Sequence, residues 1–273
     1  MRLMVDLEAD ADATYLTNYH HKLRGRFWRA LEGSAFESEH GDGAPMGLAF
    51  SNVFPWGDIE EGDERTVLVA SPRESLLATI AEDLRTDREF NVGEMAFRVT
   101  DLSALDVDVG EPGTRGTIET ATGVFVRLYE RHREEYGIEP SRSDADTPTY
   151  WRPAHTVEPF RDAITDNLQR KHERFAPSYV PGPRAVDGDL FEGYDLIKTY
   201  ALPVTVTQGV ELDVVVSKWR LDYRVRDDAH RKHLNLALDT GLGGRNALGF
   251  GFANVVDRTR PGETELEGED ALA

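Results

Sequence analysis

The sequence contains no cysteine, little lysine and no long hydrophobic run. The absence of cysteine from all 273 residues excludes disulfide bonds and thiolate metal sites. No stretch approaches the roughly 20 apolar residues that a membrane-spanning helix needs, and no signal-peptide pattern begins the chain. Hydrophobic residues make up 40% of the sequence, which suffices for folded cores, and the length allows two compact domains. We therefore expect a soluble, cytoplasmic protein without a membrane partner.

The charged residues are mostly acidic. Only five of the 31 basic residues are lysine, whereas aspartate and glutamate number 50, and the formal net charge is -19. Such a charge opposes binding to a nucleic acid. However, an acid-rich and lysine-poor composition also resembles that of proteins from salt-accumulating halophiles, in which abundant carboxylates keep the chain hydrated. Under that interpretation the net charge reflects the habitat, and a binding site has to be found from local charge.

The first half of the chain alternates between strand and helix patterns. Apolar alternation predicts strands over residues 1–9, 48–56, 65–70 and 88–102. Helices are predicted from an N-cap at Asp12 to about Glu32, and onward from a capping box that begins at Ser71. The resulting order, βαββαβ, is the ferredoxin-like arrangement.

The second half repeats this order. Strands are predicted over residues 122–129, 198–208, 210–225 and 251–256, with helices over 159–175 and 227–238. We therefore predict an α+β fold of tandem ferredoxin-like (RRM-like) βαββαβ domains. The first domain is expected over residues 1–110 and the second over 111–257. Residues 258–273 are acidic and poor in apolar residues, and we expect them to form a disordered tail.

A glycine-rich segment, GLGGRNALGFGFANVV (residues 241–256), carries five glycines within eleven residues. Gly244 and Gly249 have the spacing of a P-loop, but Phe250 and Gly251 stand where that loop requires lysine and serine or threonine. A dinucleotide-binding loop lies between a strand and the helix that follows, whereas this segment follows a predicted helix and precedes a strand. A helix C-cap would explain Gly241 alone. Both nucleotide-binding motifs are therefore excluded.

Basic residues surround the glycine-rich segment. Glycine amides together with arginines can form a concave donor surface for phosphate oxygens. Trp219, Tyr223 and Phe250 lie between the basic residues and would stack on bases if exposed, or they face a core by strand alternation. The residues that we predict to bind a nucleic acid are Lys218, Arg220, Arg224, Arg231, Lys232, Gly241, Gly243, Gly244, Arg245, Asn246, Gly249 and Gly251.

The glycine spacing resembles a known signature. Gly241-Leu-Gly243, five residues and Gly249-Phe-Gly251 match the G-x-G-x5-G-x-G pattern of the CRISPR repeat-processing endoribonucleases, the sixth Cas family of the RAMP superfamily. The segment LAFSNVFPW (48–56) is similar to the second strand of that family. The resemblance covers residues 1 to about 257. The glycine signature is more specific for the superfamily than for its cleaving members.

The resemblance implies an activity and partners. It implies cleavage of precursor CRISPR RNA within its repeats, without a metal or cofactor, by attack of a ribose 2′-hydroxyl on the adjacent phosphate. The products would carry 2′,3′-cyclic phosphate and 5′-hydroxyl ends. Subunits of a CRISPR interference complex are further possible partners. The alternative is a non-cleaving RAMP subunit that binds CRISPR RNA as a scaffold.

Histidine is the residue type best suited to the proton transfers of such a reaction, because its pKa lies near 6.5. His40 lies in the polar loop SEHGDGAP, and the resemblance places the general acid or base of the family in this interval. His20 shares a helical stripe with apolar residues and is expected at the edge of the core, whereas His21 lies one residue off that stripe, toward Trp28. We predict His40 as the catalytic residue, with His21 and His20 as alternatives.

The other histidines are weaker candidates. His132 and His172 lie in charged helical contexts and are expected to be solvated, while His230 and His233 flank the basic helix and are possible contacts of RNA. Family members often add a tyrosine or lysine beside the histidine, but no lysine follows His40 closely. A single catalytic histidine assisted by arginines is therefore expected.

Overall fold

The computed structural model describes residues 1–16, 19–39, 45–140, 148–207 and 210–261. The strands are β1 (Arg2–Ala9), β2 (Ala49–Phe50), β3 (Glu64–Ala70), β4 (Glu89–Val92), β5 (Met95–Leu105), β6 (Arg115–Thr120), β7 (Val124–Phe125), β8 (Arg127–Leu128), β9 (Thr149–Tyr150), β10 (Gly193–Thr207), β11 (Val210–Arg224) and β12 (Ala253–Thr259). The α-helices are α1 (His20–Arg29), α2 (Glu74–Thr86), α3 (Glu130–Tyr136), α4 (Glu158–Phe175) and α5 (Asp228–Thr240). No helix of this described part is long and apolar enough to cross a membrane.

The first unit is a five-stranded antiparallel sheet in the order β2-β3-β1-β5-β4. Alternate residues of the central strand β1, Leu3, Val5 and Leu7, are buried in the core of this unit. Helix α1 contributes Leu23 and Phe27 to the same core, in accordance with its predicted apolar stripe. The strand β5 corresponds to the last strand of the βαββαβ order and lies beside β1, and β4 is an additional edge strand.

The second unit has an antiparallel sheet in the order β10-β11-β6-β12. With α4 after β6 and α5 after β11, this is again the ferredoxin-like arrangement. Phe160 of α4 stacks on Trp219 of β11 with ring centres 4.2 Å apart, and Leu168 belongs to the same core. The predicted fold of tandem ferredoxin-like units is therefore confirmed.

The two sheets lie on either side of the domain boundary that the sequence predicts at residue 110. The first sheet is built from residues 2–105 and the second from residues 115–259. The last strand includes Arg258 and Thr259, which the prediction assigned to the acidic tail. Residues 262–273 of that predicted tail lie outside the described residues.

A buried arginine of the first unit reaches into the second. The Arg2 side chain is 2% exposed and its Nη2 donates a hydrogen bond of 2.5 Å to the Ala253 carbonyl. Its guanidinium also bonds Asn254 Oδ1 and lies 4.5 Å from the centre of the Phe252 ring. These contacts attach the start of β12, which directly follows the glycine-rich segment, to the first sheet.

Several local predictions in the first unit are wrong. Helix α1 begins at His20 rather than at Asp12, whose Oδ1 instead accepts a hydrogen bond from the Glu61 amide at 2.8 Å. The predicted capping box is not formed, because α2 begins at Glu74 and Ser71 Oγ accepts from the amide of Arg73, the N-cap residue itself. The segment 48–56 forms only the two-residue strand β2, and the segment 88–102 is a hairpin rather than one strand.

The first strand of the second unit also differs from the prediction. It is β6 (Arg115–Thr120), whereas the predicted segment 122–129 contains only the two-residue strands β7 and β8. Pairing explains the difference: β6 lies between β11 and β12, while β7 contacts β11 outside the main strand order. Apolar alternation identified the more hydrophobic segment, and the polar sequence RGTIET was missed.

Candidate active site

A cleft of about 620 Å³ lies between α1 of the first unit and the glycine-rich segment of the second. Four arginines, each from a different element, line it. We call this surface the arginine cleft: Arg24 (α1), Arg127 (β8), Arg170 (α4) and Arg245. No aspartate or glutamate of the described residues lines the cleft. It is therefore a concentrated positive region in a chain whose net charge is -19.

The cleft arginines lie against aromatic rings. The Arg24 guanidinium is 5.8 Å from the ring centre of Trp28, and that of Arg245 is 5.6 Å from the ring of Phe125. Arg127 and Arg170 both lie over Tyr129, at 5.2 and 5.8 Å. Aromatic faces orient a guanidinium without neutralising its charge.

Two of the cleft arginines, Arg24 and Arg245, repel each other. Burial lowers the pKa of Arg24, and the nearby charge of Arg245 lowers it further. None of the four forms an ion pair with a carboxylate of the described chain, whereas eight other arginines lie within 3.1 Å of an acid. An anionic ligand in this cleft would relieve the repulsion.

The glycine loop (residues 241–251) forms one wall of the cleft. Gly243, Gly249 and Gly251 adopt positive φ angles of 66°, 85° and 71°, and Arg245 adopts 55°, which is unusual for a residue with a side chain. The Asn246 side chain closes the loop, because its Nδ2 donates to the carbonyls of Leu242 and Phe250 at 3.0 and 2.8 Å. The loop is thus held in a single shape that presents Arg245 to the cleft.

The glycine amides are mostly satisfied inside the protein. Gly244 donates to the Phe125 carbonyl at 3.0 Å, Gly249 to that of Asn246 at 2.8 Å, and Gly251 to that of Gly123 at 2.9 Å. The expectation of bare donors for phosphate is therefore wrong for these three amides. Their hydrogen bonds instead fix the path of the loop.

Close packing explains the glycines better. A methyl group at Gly249 would lie 2.7 Å from the Phe50 ring and 3.0 Å from His20 Nδ1. A methyl group at Gly251 would overlap the Leu242 carbonyl, and one at Gly241 would lie 2.6 Å from Asn246 Nδ2. These glycines let the loop pack closely against itself and against the first unit.

The structure separates the predicted binding residues into three places. Gly244, Arg245 and Asn246 line the arginine cleft. Lys218, Arg220 and Arg224 lie on the face of β11 that points away from its helices, because Trp219, Leu221 and Tyr223 face the core. Lys218 lines a second cavity of about 510 Å³, and Arg220 pairs with Glu119 at 3.6 Å.

The basic residues of α5 lie elsewhere. Arg231 pairs with Asp108 at 3.1 Å and with Glu111 at 2.8 Å, and Lys232 is exposed near the ring of Tyr179. Arg231 stands in the first turn of α5 and Thr240, which lines the cleft, in the last, about 13 Å apart along the axis. The predicted cluster along the sequence is therefore not one surface in space.

The predicted catalytic histidine, His40, lies outside the described residues. The chain that follows it lines the arginine cleft from Pro45 to Leu48. On α1, His21 shares a stripe with the cleft residues Arg24 and Trp28, three and seven positions further on. The helix face of His21 and the described residues that follow His40 in the chain thus both adjoin the cleft.

His20 is packed against the glycine loop. Its ring stacks between those of Tyr19 and Phe250, with ring centres 5.2 and 5.4 Å apart. Burial lowers its pKa to about 4, opposed in part by a hydrogen bond with the backbone of Leu248. This confirms the expectation of a packed histidine, and His20 is neutral at pH 7.

The other helical histidines are buried, so two expectations are wrong. His132 is 3% exposed and bonds Asp166 at 3.0 Å, and His172 is also buried rather than solvated. His230 and His233 are buried as well and bond the backbone carbonyls of Leu190 and Pro181. These four rings pack within the second unit, and none of them lines the arginine cleft. Trp219, Tyr223 and Phe250 are buried too, so they do not offer stacking surfaces.

Sequence reasoning missed three of the four cleft arginines. Arg24 could have been found, because it lies three residues after His21 on a helix face that was already identified. Arg127 and Arg170 carry no sequence signal that distinguishes them from the other arginines. Within the described part of the chain, no three histidine, aspartate or glutamate side chains are grouped as metal ligands.

Comparison with known proteins identifies the family. The family profile described as "CRISPR associated protein Cas6, C-terminal" matches residues 113–255. A protein of Haloferax mediterranei, "CRISPR-associated endoribonuclease Cas6", is 71% identical over 273 residues, which is the full length of both chains. Its haloarchaeal origin agrees with the acidic composition. The structure described as "CRISPR associated protein Cas6" covers 94% of this chain and 99% of its own at a TM-score of 0.67 and 15% identity. "An RAMP protein binding different RNA substrates" covers 94% and 99% at a TM-score of 0.63 and 18% identity. The chain belongs to the Cas6 family of CRISPR-associated endoribonucleases.

Proposed function

We propose that this protein cleaves precursor CRISPR RNA within its repeats and that the arginine cleft holds the scissile phosphate. The observation that carries the proposal is the cleft itself: four arginines without a described carboxylate partner face a cavity of about 620 Å³. Planar guanidiniums bind two phosphate oxygens at once. Pro45 to Leu48, which follow His40 along the chain, line the same cleft, and we propose that His40 supplies the proton-transfer group.

The proposed reaction needs no metal and no cofactor. A ribose 2′-hydroxyl loses its proton and attacks the adjacent phosphorus, while the leaving 5′ oxygen gains a proton, giving 2′,3′-cyclic phosphate and 5′-hydroxyl ends. His40 acts as the general acid or base, which contributes roughly 10²–10⁴-fold to the rate. The remaining acceleration comes from in-line positioning and from the cleft arginines, whose charges stabilise the phosphorane.

The binding residues take different parts in this proposal. Arg245 contacts the phosphate directly, and Gly244 and Asn246 shape the wall that carries it. Gly241, Gly243, Gly249 and Gly251 act by holding the glycine loop. Lys218, with Arg220 and Arg224 on the same strand face, stays a predicted contact for a more distant part of the RNA. Arg231 is engaged by two carboxylates, and Lys232 beside it stays a predicted contact only.

The enzyme is expected to act in the cytoplasm, where precursor RNA is transcribed. Subunits of a CRISPR interference complex are proposed as later partners that receive the processed RNA. The alternative function, a scaffold that binds CRISPR RNA without cleaving it, would use the same arginine cleft. The segment containing His40 favours the enzyme, because a scaffold needs no proton-transfer group.

Cleavage of a repeat RNA in the presence of a chelator distinguishes the two functions. End-labelled repeat RNA is incubated with the protein and EDTA in molar KCl, and the product ends are tested for a cyclic phosphate. We expect cleavage by the native protein, and none by His40→Ala, whose RNA affinity should stay within a few-fold because no phosphate contact is lost. Binding without cleavage by the native protein would support the scaffold, and cleavage by His40→Ala would transfer the catalytic role to His21 or His20.

A further inference from the structure

A lysine lies fully inside the second unit, beneath the glycine loop. Lys171 lies about one turn before the C-terminal end of α4 and is 3% exposed. Its Nζ donates to the carbonyls of Gly241 at 2.6 Å and Gly243 at 2.9 Å, and it lies 3.5 Å from that of Thr240. No ion pair links it to a carboxylate of the described residues, and the charge that acts on it is the like charge of Arg170.

Packing alone does not account for this residue. An ammonium group without a carboxylate partner loses hydration on burial, and a methionine of similar length would fill the space without that cost. The burial lowers the pKa of Lys171 well below its ordinary value. What the ammonium group provides, and an apolar side chain cannot, is hydrogen bonds to several carbonyls at one point.

Those carbonyls define where the glycine loop begins. Thr240 and Gly241 stand at the C-terminal end of α5, where free carbonyls carry partial negative charge and the last turn of α5 supplies no basic residue. Gly243 lies beyond the turn, at a φ of 66°. By bonding carbonyls on both sides of the turn, Lys171 fixes the angle at which the chain leaves the helix.

The remainder of the loop depends on this angle. Directly after Gly243, the Gly244 amide bonds the Phe125 carbonyl, and Arg245 takes its positive φ over the Phe125 ring. Arg170, the neighbour of Lys171 on α4, lines the same cleft. One helix thus supplies a cleft arginine and the support of the glycine loop.

We propose that Lys171 is a positioning residue that holds the glycine loop in the conformation that places Arg245 at the RNA phosphate. The proposal rests on the function proposed above. Lys171 borders the arginine cleft but is only 3% exposed, and its ammonium group bonds loop carbonyls, so in this arrangement it acts through the loop. Its removal should therefore weaken RNA binding through the loop while the rest of the second unit stays folded.

The test compares Lys171→Met with Leu168→Ala, a core substitution one turn earlier on α4. Fluorescence anisotropy with a repeat RNA gives the Kd, and thermal unfolding gives the Tm. We expect Lys171→Met to raise the Kd about tenfold, as for the loss of one or two hydrogen bonds, with little change in Tm. Leu168→Ala should lower the Tm more and leave the Kd within about twofold. Lys171→Gln, made in parallel, keeps a shorter donor and should lie between native protein and Lys171→Met.

Hydrogen exchange provides a readout that does not need RNA. The amides of Gly244 and Gly251 should exchange at least about tenfold faster in Lys171→Met or Lys171→Gln, while the amides of β12 keep their native rates. Unchanged exchange in the loop would overturn the proposal. So would an unchanged Kd in both variants, or an equal rise in Kd for Leu168→Ala. If the native protein itself fails to bind repeat RNA, the proposed function is wrong, and hydrogen exchange still decides the role of Lys171.

Discussion

The second unit carries arginines in two different environments. Those of the arginine cleft lie against aromatic rings and have no described carboxylate partner. On a second surface, which we call the paired face and define by Arg161 and Arg184, every guanidinium is matched by an acid. Arg161 bonds Asp189 at 2.8 Å, and Arg184 bonds Asp162 at 3.0 Å and Asp166 at 2.6 Å.

One helix presents both environments. Arg161 and Arg170 are nine positions apart on α4, which at 100° per residue places them on opposite sides of the helix. On the paired face the arginines neutralise neighbouring carboxylates, and such exposed pairs contribute little to stability. On the cleft side their charge is left for a ligand. In a protein this acidic, an arginine without a described carboxylate partner therefore indicates a binding site for an anionic ligand.

Removing arginines from the cleft should weaken RNA binding, whereas removing them from the paired face should lower stability only. This is the largest difference that we expect. Arg170→Ala combined with Arg245→Ala should weaken repeat RNA binding about 100-fold, because each removes charged hydrogen bonds to phosphate. Arg161→Ala combined with Arg184→Ala should leave the Kd within about twofold and lower the free energy of unfolding by roughly 1 kcal/mol. Both double variants are compared by RNA titration and by denaturant unfolding. Equal losses of affinity would mean that the cleft arginines contribute no more to RNA binding than the arginines of the paired face.

The sequence predicted the fold well and the site only in part. The apolar periods of α4, α5, β10 and β11 are strong, and the G-x-G-x5-G-x-G pattern identified the glycine loop. The predictions were wrong where tertiary contacts override local patterns, as at β6 and at the start of α1. Arg127 and Arg170 were missed because an unpaired arginine and a paired one look identical in a sequence. Their difference depends on which acids lie nearby in space.

Two glycines with the same φ angle, one in the glycine loop and one outside it, differ in the space around them. Gly251 and Gly33 share a φ of 71°, but a methyl group at Gly33 would meet nothing within 4 Å, whereas one at Gly251 would overlap the Leu242 carbonyl. Gly33→Ala should cost only the strain of a positive φ, ~1 kcal/mol. Gly251→Ala should lower the free energy of unfolding by about 3 kcal/mol and weaken RNA binding as well. Similar unfolding curves for the two variants would show that the loop relaxes around the added carbon.

A smaller effect is expected from the histidine that joins α1 to the glycine loop. The folded pKa of His20 is about 4, below the ordinary 6.5, so the unfolded chain binds more protons between these values. Stability should therefore fall as the pH drops below 6.5, by about 2 kcal/mol between pH 7 and pH 5. His20→Phe keeps a ring against Phe250 but cannot titrate. Its free energy of unfolding should depend less steeply on pH than that of the native protein, and an identical pH dependence would contradict the packed, neutral state of His20.

The smallest effect should show whether the cleft arginines bind phosphate by charge alone or also by the planar shape of the guanidinium. We expect repeat RNA to stay bound in molar KCl, where the screening length is only about 3 Å and charge acts at contact alone. Arg170 lies over Tyr129, so its guanidinium is oriented before RNA arrives and can bond two oxygens. Arg170→Lys keeps the charge but loses the planar fork, and it should raise the Kd about threefold in molar salt and less in dilute salt. Arg184→Lys on the paired face, the matched control, should leave the Kd unchanged at every salt concentration. If Arg170→Lys has the same Kd as the native protein at every salt concentration, the cleft recognises phosphate by charge alone. The aromatic contacts of its arginines would then have no part in binding.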